Sequence, residues 1–178
     1  MKLLYFKEHL SCINYQINVN TGFVYYNLEK DSVSKIDNSA SPCILFLLDG
    51  EVSIDSGEYQ NVHIEKDKMV LIPQHVDNKI EVIYDAKCLL LFWNKDIRVC
   101  DKVYMNSLSS YKERKKEMCV LPIRDPLQAV LNSVVAYLYA KMQCKHMHLI
   151  KQQEVLLVLR GYYTKKELFT FFSRSEEH

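Results

Sequence analysis

The fold of this chain is decided between residues 43 and 55, where the sequence reads CILFLLDGEVSID. The first half is a strand-length apolar run rich in branched and aromatic residues, and the second half alternates polar and apolar residues. Asp49-Gly50 lies between the halves. An Asp-Gly pair in this position is a strong hairpin signal, because a type I′ turn needs positive φ at both central residues. The sequence therefore predicts two antiparallel strands joined at Asp49-Gly50.

Short runs of the same kind continue on both sides of this stretch. Regularly spaced short strands are typical of a sandwich or a small barrel, and an eight-stranded barrel has room for one small ligand. We predict strands over 15–20, 23–28, 59–64, 69–72, 80–84 and 87–93, with turns at Thr21-Gly22, Ser56-Gly57, Lys66-Asp67-Lys68 and Asp85-Ala86 and a polar loop over 30–41. The first expectation is therefore an antiparallel β-barrel.

The hydrophobic period changes to that of a helix after residue 124. Asp125-Pro126 is a typical helix start, since Asp can cap free amides and Pro suits the first helical position. An apolar stripe at i, i+3, i+4, i+7 and i+8 follows, and its members are Leu127, Val130, Leu131, Val134, Val135, Leu138 and Met142. A short connection predicts an antiparallel second helix over 148–159, ended by Gly161. Residues 164–167 predict a capping box for a short third helix.

Composition limits the class of protein. The chain has 178 residues, a formal net charge of +1 and six cysteines without a C-x-x-C motif. We interpret the cysteines as free, mostly buried thiols of a cytoplasmic protein, because disulfide frameworks suit smaller secreted chains. The near-neutral charge is evidence against specific DNA binding by residues 1–178. The apolar runs 43–48 and 88–93 are too short to span a membrane, so we expect no membrane partner.

No group of residues predicts catalysis. The serines at 107, 109 and 110 lack nucleophile-elbow glycines, no cysteine lies in a nucleophile signature, and no phosphate-binding glycine loop is present. His146 and His148 are two positions apart at a helix start and point to different faces, so we expect surface or capping roles. A metal site of His75 with Asp77 or Glu81 is the open alternative. We predict no catalytic residue, no metal site and no cofactor.

Aromatic residues of the strands have two interpretations. The simpler one places Tyr25, Tyr26, Phe46, Phe92 and Trp93 in the core. The alternative makes some of them the wall of a ligand pocket, since such pockets are largely apolar and aromatic with a few polar groups. By residue type and position near strand ends, the predicted ligand-binding residues are Tyr26, Phe46, His75 and Trp93.

The same segments resemble a known family. Residues 44–52 (ILFLLDGEV) and 65–73 (EKDKMVLIP) are similar to the cupin-type N-terminal sensor of arabinose-regulator (AraC/XylS-type) transcription factors. Residues 151–172 (KQQEVLLVLRGYYTKKELFTFF) are similar to the segment that joins this sensor to its DNA-binding part in one subgroup. The resemblance implies an α+β domain: a small cupin-like antiparallel barrel over 1–123, then an antiparallel helical hairpin and a short third helix over 124–173. It also implies effector binding and dimerisation.

The chain departs from the family pattern at two points. It lacks the histidine cluster of metal-dependent cupins, and it ends at residue 178, where the family continues into helix-turn-helix motifs. We therefore expect a bacterial regulator truncated before its DNA-binding domain, which would contact DNA only through that domain. The alternatives are a metal-dependent cupin enzyme, recognised by stoichiometric metal, and a stand-alone dimerisation or adaptor module with a filled barrel.

A homodimer is the expected assembly, with an unknown small molecule as effector. The apolar stripe of the first helix is wider than packing on one barrel and one helix requires, and a two-fold partner would cover the surplus. The predicted interface residues are Leu127, Leu131, Val134, Val135 and Leu138. The alternative is that both sides of the stripe are buried within the monomer.

Overall fold

The computed structural model describes residues 22–92 and 117–173. It consists of an antiparallel sheet and three helices, which confirms the α+β class. The strands are β1 (Gly22–Leu28), β2 (Val33–Ser34), β3 (Cys43–Ser56), β4 (Tyr59–Glu65), β5 (Lys68–Ile72), β6 (Asn78–Phe92) and β7 (Leu121–Pro122). The helices are α1 (Asp125–Tyr139), α2 (Lys145–Tyr162) and α3 (Lys165–Phe172).

Two long bent strands, β3 and β6, form the centre of the sheet. The order is β1-β6-β3-β5-β7, with β2 on β6 and β4 on β3. Both predicted turns inside these strands are wrong: Asp49-Gly50 and Asp85-Ala86 lie within continuous strands that pair with each other. The register shifts between Leu47 and Val52, and Gly50 has a φ of +84°. A G1-type bulge places a glycine at positive φ, as a type I′ turn does, so the local signal fits both.

The sheet has a buried core on each face. Successive residues of a strand point to opposite faces, so the run 43–47 supplies both cores and is apolar throughout. Ile44 and Phe46 face the helices with Leu89 and Leu91. The other face buries Cys43, Leu45 and Leu47 with Val52, Ile54, Ile64, Ile80 and Val82 from the far halves of the strands. Because one face contacts itself in this way, the sheet is curled.

The curled sheet is not a closed barrel within residues 22–92 and 117–173. Its order begins at β1 and ends at β7, and these two strands are not paired with each other. The predicted barrel is thus found only as a curled sheet in the described residues. The predicted strand over 15–20 lies outside them.

Helix α1 begins at Asp125 as predicted, but its N-cap residue is Arg124, and no side chain caps it. It ends at Tyr139, earlier than the stripe suggested, and Lys141 follows with a φ of +57°. Helix α2 is longer than predicted and contains Gly161, which therefore does not end it. The α3 capping box is confirmed. None of the described helices is long and apolar enough to cross a membrane.

The helical layer shares a core with the sheet. Leu127, Leu131 and Val134 are fully buried there, and Val135 and Leu138 pack against the same core from partly buried positions. These five residues were the predicted dimer interface. The monomer's own core covers Leu127, Leu131 and Val134 completely, whereas Val135 and Leu138 stay partly exposed, so the predicted α1 interface remains a prediction for those two residues only.

Candidate ligand cavity

A cavity of about 310 Å³ lies on the inner face of the curled sheet, beside β1, β2 and β6. Tyr26 and Leu28 alternate along β1, and Cys88 and Leu90 alternate along β6. The register pairs Tyr26 with Cys88, which puts these side chains next to each other on one face. Residues 34–37, with Ile80 and Phe92, complete the lining.

Two asparagines hold the segment that closes the polar side of the cavity. Asn78 accepts the Ile36 N–H at 2.8 Å and donates to the Ile36 carbonyl at 2.9 Å, as a paired strand would. Asn38 donates to the carbonyls of Pro73 and Val76, at 2.7 Å each. Asn38 and Asn78 are both buried, so these bonds are shielded from water. These bonds hold in place residues 34–37, the part of the predicted loop 30–41 that lines the cavity.

The charged groups of the cavity rim already have partners. Lys35 donates from Nζ to Asp77 Oδ1 at 3.0 Å. The Asp37 carboxylate accepts hydrogen bonds from the Ser39 N–H at 3.1 Å and the Ser39 hydroxyl at 2.6 Å. These bonds to Ser39 hold the pKa of Asp37 below its ordinary value. Asp37 is therefore a weak base at neutral pH.

The cysteine of the cavity wall is a protonated thiol. Burial raises the pKa of Cys88 to about 12, and burial also raises that of the fully buried neighbour Cys43. Both thiols are free. The thiolate is the reactive form of cysteine, so Cys88 contributes polarizable surface and no nucleophile. Within residues 22–92 and 117–173, no three His, Cys, Asp or Glu side chains are arranged to hold a metal ion.

The four predicted ligand-binding residues are not brought together. Tyr26 lines the cavity. Phe46 is fully buried on the opposite face, in the core shared with the helices, because it is one residue out of step with the inward-facing Leu45 and Leu47. His75 is exposed in the turn after β5, with a φ of +63°, and does not line the cavity. Trp93 lies outside the described residues.

Most of the cavity lining was not predicted. The run 88–92 is buried on both faces, so no alternation marked Cys88, Leu90 and Phe92 as inward-facing. The polar residues of 30–41 predict a loop, and the stretch 34–37 belongs to it. The short β2 pairing of Ser34 with Ile80 places this stretch at the cavity, and a two-residue strand has no sequence pattern to detect it.

His148 was assigned to the surface or to a cap, and the structure corrects this. Its side chain is buried, Nδ1 accepts the Phe23 N–H at 2.9 Å, and the ring stacks on Phe23 with centroids 6.1 Å apart. Burial lowers its pKa to about 4. The helical stripe of α2 that contains His148 carries few apolar residues before Val155, so its burial had no clear signal in the sequence.

The comparisons with known proteins give partial similarity only. No protein-family model and no curated protein matches the chain. Among solved structures, similarity is found to a conserved protein of unknown function from Streptococcus pyogenes (13% identity, TM-score 0.36, 39% of this chain and 60% of that one). An RmlC-like cupin family protein with a double-stranded β-helix fold from Methanocaldococcus jannaschii has 15% identity and a TM-score of 0.35, over 38% of this chain and 64% of that one.

A cupin-2 domain containing protein from Shewanella frigidimarina is also similar, with 18% identity and a TM-score of 0.33. That similarity covers 38% of this chain and 65% of the other. The chain thus spans less than two thirds of the length of each of these three proteins. Such partial similarity assigns neither a family nor an activity to this chain.

Proposed function

We propose that this chain is the effector-sensing and dimerisation part of a bacterial transcription regulator of the AraC/XylS type, which acts on DNA through a further helix-turn-helix domain. The cavity beside β1, β2 and β6 is the observation that carries the proposal. Its described lining offers shape and hydrogen bonds, and its one thiol is protonated. A wall of that kind suits binding of a small molecule more than its chemical conversion. On this proposal the chain is neither an enzyme nor a cofactor carrier.

The lining indicates the chemistry of the effector. The floor is apolar, with Leu28, Ile80 and Leu90, and the rim offers the Tyr26 and Ser34 hydroxyls. The rim charges are already paired or hydrogen-bonded, so a charged ligand would have to displace these contacts. A volume of about 310 Å³ is at the small end of ligand pockets. The expected effector is an uncharged small molecule with an apolar body and one or two hydrogen-bonding groups.

Two neighbouring substitutions on β2 test the cavity. Ser34 lines it, whereas Val33 points outward and is 61% exposed. We expect that a screen of uncharged amphipathic molecules by thermal shift will find a ligand of the wild-type chain. A ligand at a hundred times its Kd should raise the free energy of unfolding by about 2.7 kcal/mol.

The Ser34→Trp variant should lose this stabilisation, because the indole fills the cavity. The Val33→Trp control adds the same side chain to the outer face and should keep it. A screen without any ligand, or a ligand that stabilises both variants equally, would contradict the proposed site.

The proposed dimer surface is the open face of α2. Ile150 and Leu157 are 60% and 69% exposed there, with Gln153 between them. His146, Ile150, Gln153 and Leu157 are spaced by four, three and four residues, which is the spacing of a coiled-coil seam, and Ile150 and Leu157 are its apolar members. The opposite face of α2 is buried on the protein's own core through Val155 and Leu159. Ile150 and Leu157 thus form an exposed apolar pair on the face opposite this core, and on this proposal a second copy of the chain covers the pair.

A further inference from the structure

We infer that β1 is a coupling strand, through which a molecule in the cavity shifts the junction of α1 and α2. The inference rests on the proposed function for its biological meaning, although its physical basis is independent of any ligand. Strand β1 has a cavity face and a helix face. Its contacts on the helix face are few and specific, so a change on the cavity face is expected to affect a small set of identifiable residues there.

The two faces of β1 follow from its alternation. Tyr26 and Leu28 line the cavity, and Val24 packs in the inner core with them. Phe23 and Tyr25 belong to the other core, between the sheet and the helices. Tyr26, which touches the cavity, is therefore next in sequence to Tyr25, which touches the helical layer. A displacement of the strand backbone moves both sets together.

Strand β1 is built to move as one piece. It pairs with β6 in an unbroken register, from Gly22 with Phe92 to Leu28 with Ala86. Among the described residues it has no other strand neighbour. An edge strand held by one ladder can tilt or shift with less disruption than a central strand, because only one set of hydrogen bonds must adjust.

The first residue that β1 contacts on its helix face is His148, near the start of α2. The Phe23 N–H donates to its Nδ1 at 2.9 Å, so Nδ1 carries no proton and the neutral ring bears its proton on Nε2. That Nε2 and the side-chain nitrogen of Gln152, one turn later, are buried and have no hydrogen-bond partner among the residues that the structure describes. His148 and Gln152 are only 6% and 2% exposed. Unpaired buried donors cost free energy, so this contact is poised to rearrange.

The second residue that β1 contacts on its helix face is Tyr139, the last residue of α1. Its ring lies against that of Tyr25, with centroids 5.6 Å apart and ring planes tilted by 60°. Strand β1 therefore contacts the end of α1 and the start of α2, on both sides of the connection 140–144. Helix α2 also carries Ile150 and Leu157, the centre of the proposed dimer surface. The contacts form one route from the cavity to that surface.

The test uses a permanent occupant in place of a ligand. Ser34→Trp fills the cavity from β2 without altering β1, and Val33→Trp is the control on the outer face of the same strand. Heteronuclear NMR of the whole chain should show shifted amide signals of Phe23 and Tyr25 and shifted ring nitrogens of His148 in Ser34→Trp only. Hydrogen exchange at the Phe23 amide should become about tenfold faster as its bond to His148 weakens.

The inference is overturned if Leu90 and Phe92 respond to Ser34→Trp while Phe23, Tyr25 and His148 keep their wild-type signals, or if Val33→Trp produces the same shifts. Ser34→Leu, a smaller filler, repeats the measurement if the Trp variant does not fold. Unfolding of both would mean that the cavity tolerates no occupant, which also overturns the inference. If the NMR signals respond to Ser34→Trp but the screen finds no ligand, only the proposed function is contradicted. If a ligand binds but the Phe23 signals do not change, only the coupling is contradicted.

Discussion

Gly22 and His148 are matched to each other at the scale of single residues. Gly22 has a φ of +116°, where side chains are strained, and a Cβ at this position would lie 2.6 Å from Nδ1 of His148. The absence of that atom lets the imidazole approach the β1 backbone and accept the Phe23 N–H. The hydrogen bond in turn requires a neutral ring, because a protonated Nδ1 cannot accept.

We predict that His148 makes stability depend on pH. Its folded pKa of about 4 is below the ordinary value of 6.5, so the unfolded chain binds the proton first as the pH falls. The contribution is therefore complete above pH 6.5 and is lost towards pH 4, by up to about 3 kcal/mol in the free energy of unfolding. Urea denaturation across this range measures the loss.

The matched variant is His148→Asn, whose side-chain oxygen can accept the Phe23 N–H but does not titrate in this range. Its stability should fall less than that of the wild type between pH 6.5 and 4, while the other histidines contribute equally to both proteins. Parallel pH profiles for the two would show that His148 is not buried in its neutral form.

At the scale of elements, the apolar faces of the helices that are buried and exposed differ from those that the sequence predicted. Helix α1 buries Leu127, Leu131 and Val134 completely within the monomer, and α2 leaves Ile150 and Leu157 exposed. The dimer prediction therefore moves from α1 to α2, because a side chain that the protein's own core covers completely cannot contact a second copy.

The element-scale prediction is that Ile150→Glu with Leu157→Glu gives a folded monomer. Burying two carboxylates in a coiled-coil seam is costly, whereas exposed substitutions change monomer stability by only about 0.5 kcal/mol. Sedimentation equilibrium measures the association. Val33→Glu, an exposed apolar residue away from α2, is the control that should leave the dimer intact. Leu131→Glu should unfold the chain. A double variant that dimerises as tightly as the wild type would place the interface elsewhere.

At the scale of the whole molecule, a clamp ties the end of the sheet to the last helices. The Arg124 guanidinium donates to both Glu167 carboxylate oxygens, at 3.0 and 2.7 Å, and to the Tyr162 carbonyl at 2.6 Å. The Tyr163 hydroxyl donates to the Pro122 carbonyl at 2.6 Å and accepts the Arg124 N–H at 3.0 Å. The clamp thus joins β7 to the start of α3. Hydrogen bonds from Arg124 lower the pKa of Glu167 to about 2.

We predict that Glu167→Gln lowers the free energy of unfolding by about 1 kcal/mol, because a bidentate pair in partly buried surroundings is lost. The Arg124 and Glu167 side chains are 34% and 28% exposed, against 67% and 89% for Lys35 and Asp77. Asp77→Asn breaks that exposed pair and should cost less stability than Glu167→Gln, because water screens a fully exposed ion pair. Urea denaturation at pH 7 compares the two variants, and equal losses would argue against a structural role for the clamp.

Features with a local cause were predictable from the sequence. The α+β class, the start of α1 at Asp125 and the capping box between Thr164 and Glu167 depend on residues within a few positions of each other. Strand content also follows from local alternation and residue type. Tyr26 is the one predicted ligand-binding residue that lines the cavity, and its face follows from a register that the sequence does not specify.

Tertiary structure decided the rest, because strand pairing and burial join residues far apart in the chain. Asp49-Gly50 suits a hairpin or a bulge equally, and pairing of β3 with β6 selects the bulge. The same pairing sends Phe46 to the helices and Leu45 to the inner core. The burial of His148 depends on β1, because the N–H of Phe23, 125 residues earlier in the chain, donates a hydrogen bond to its ring. The sequence by itself determined which segments are strands and helices, and their packing determined which faces meet and where a cavity remains.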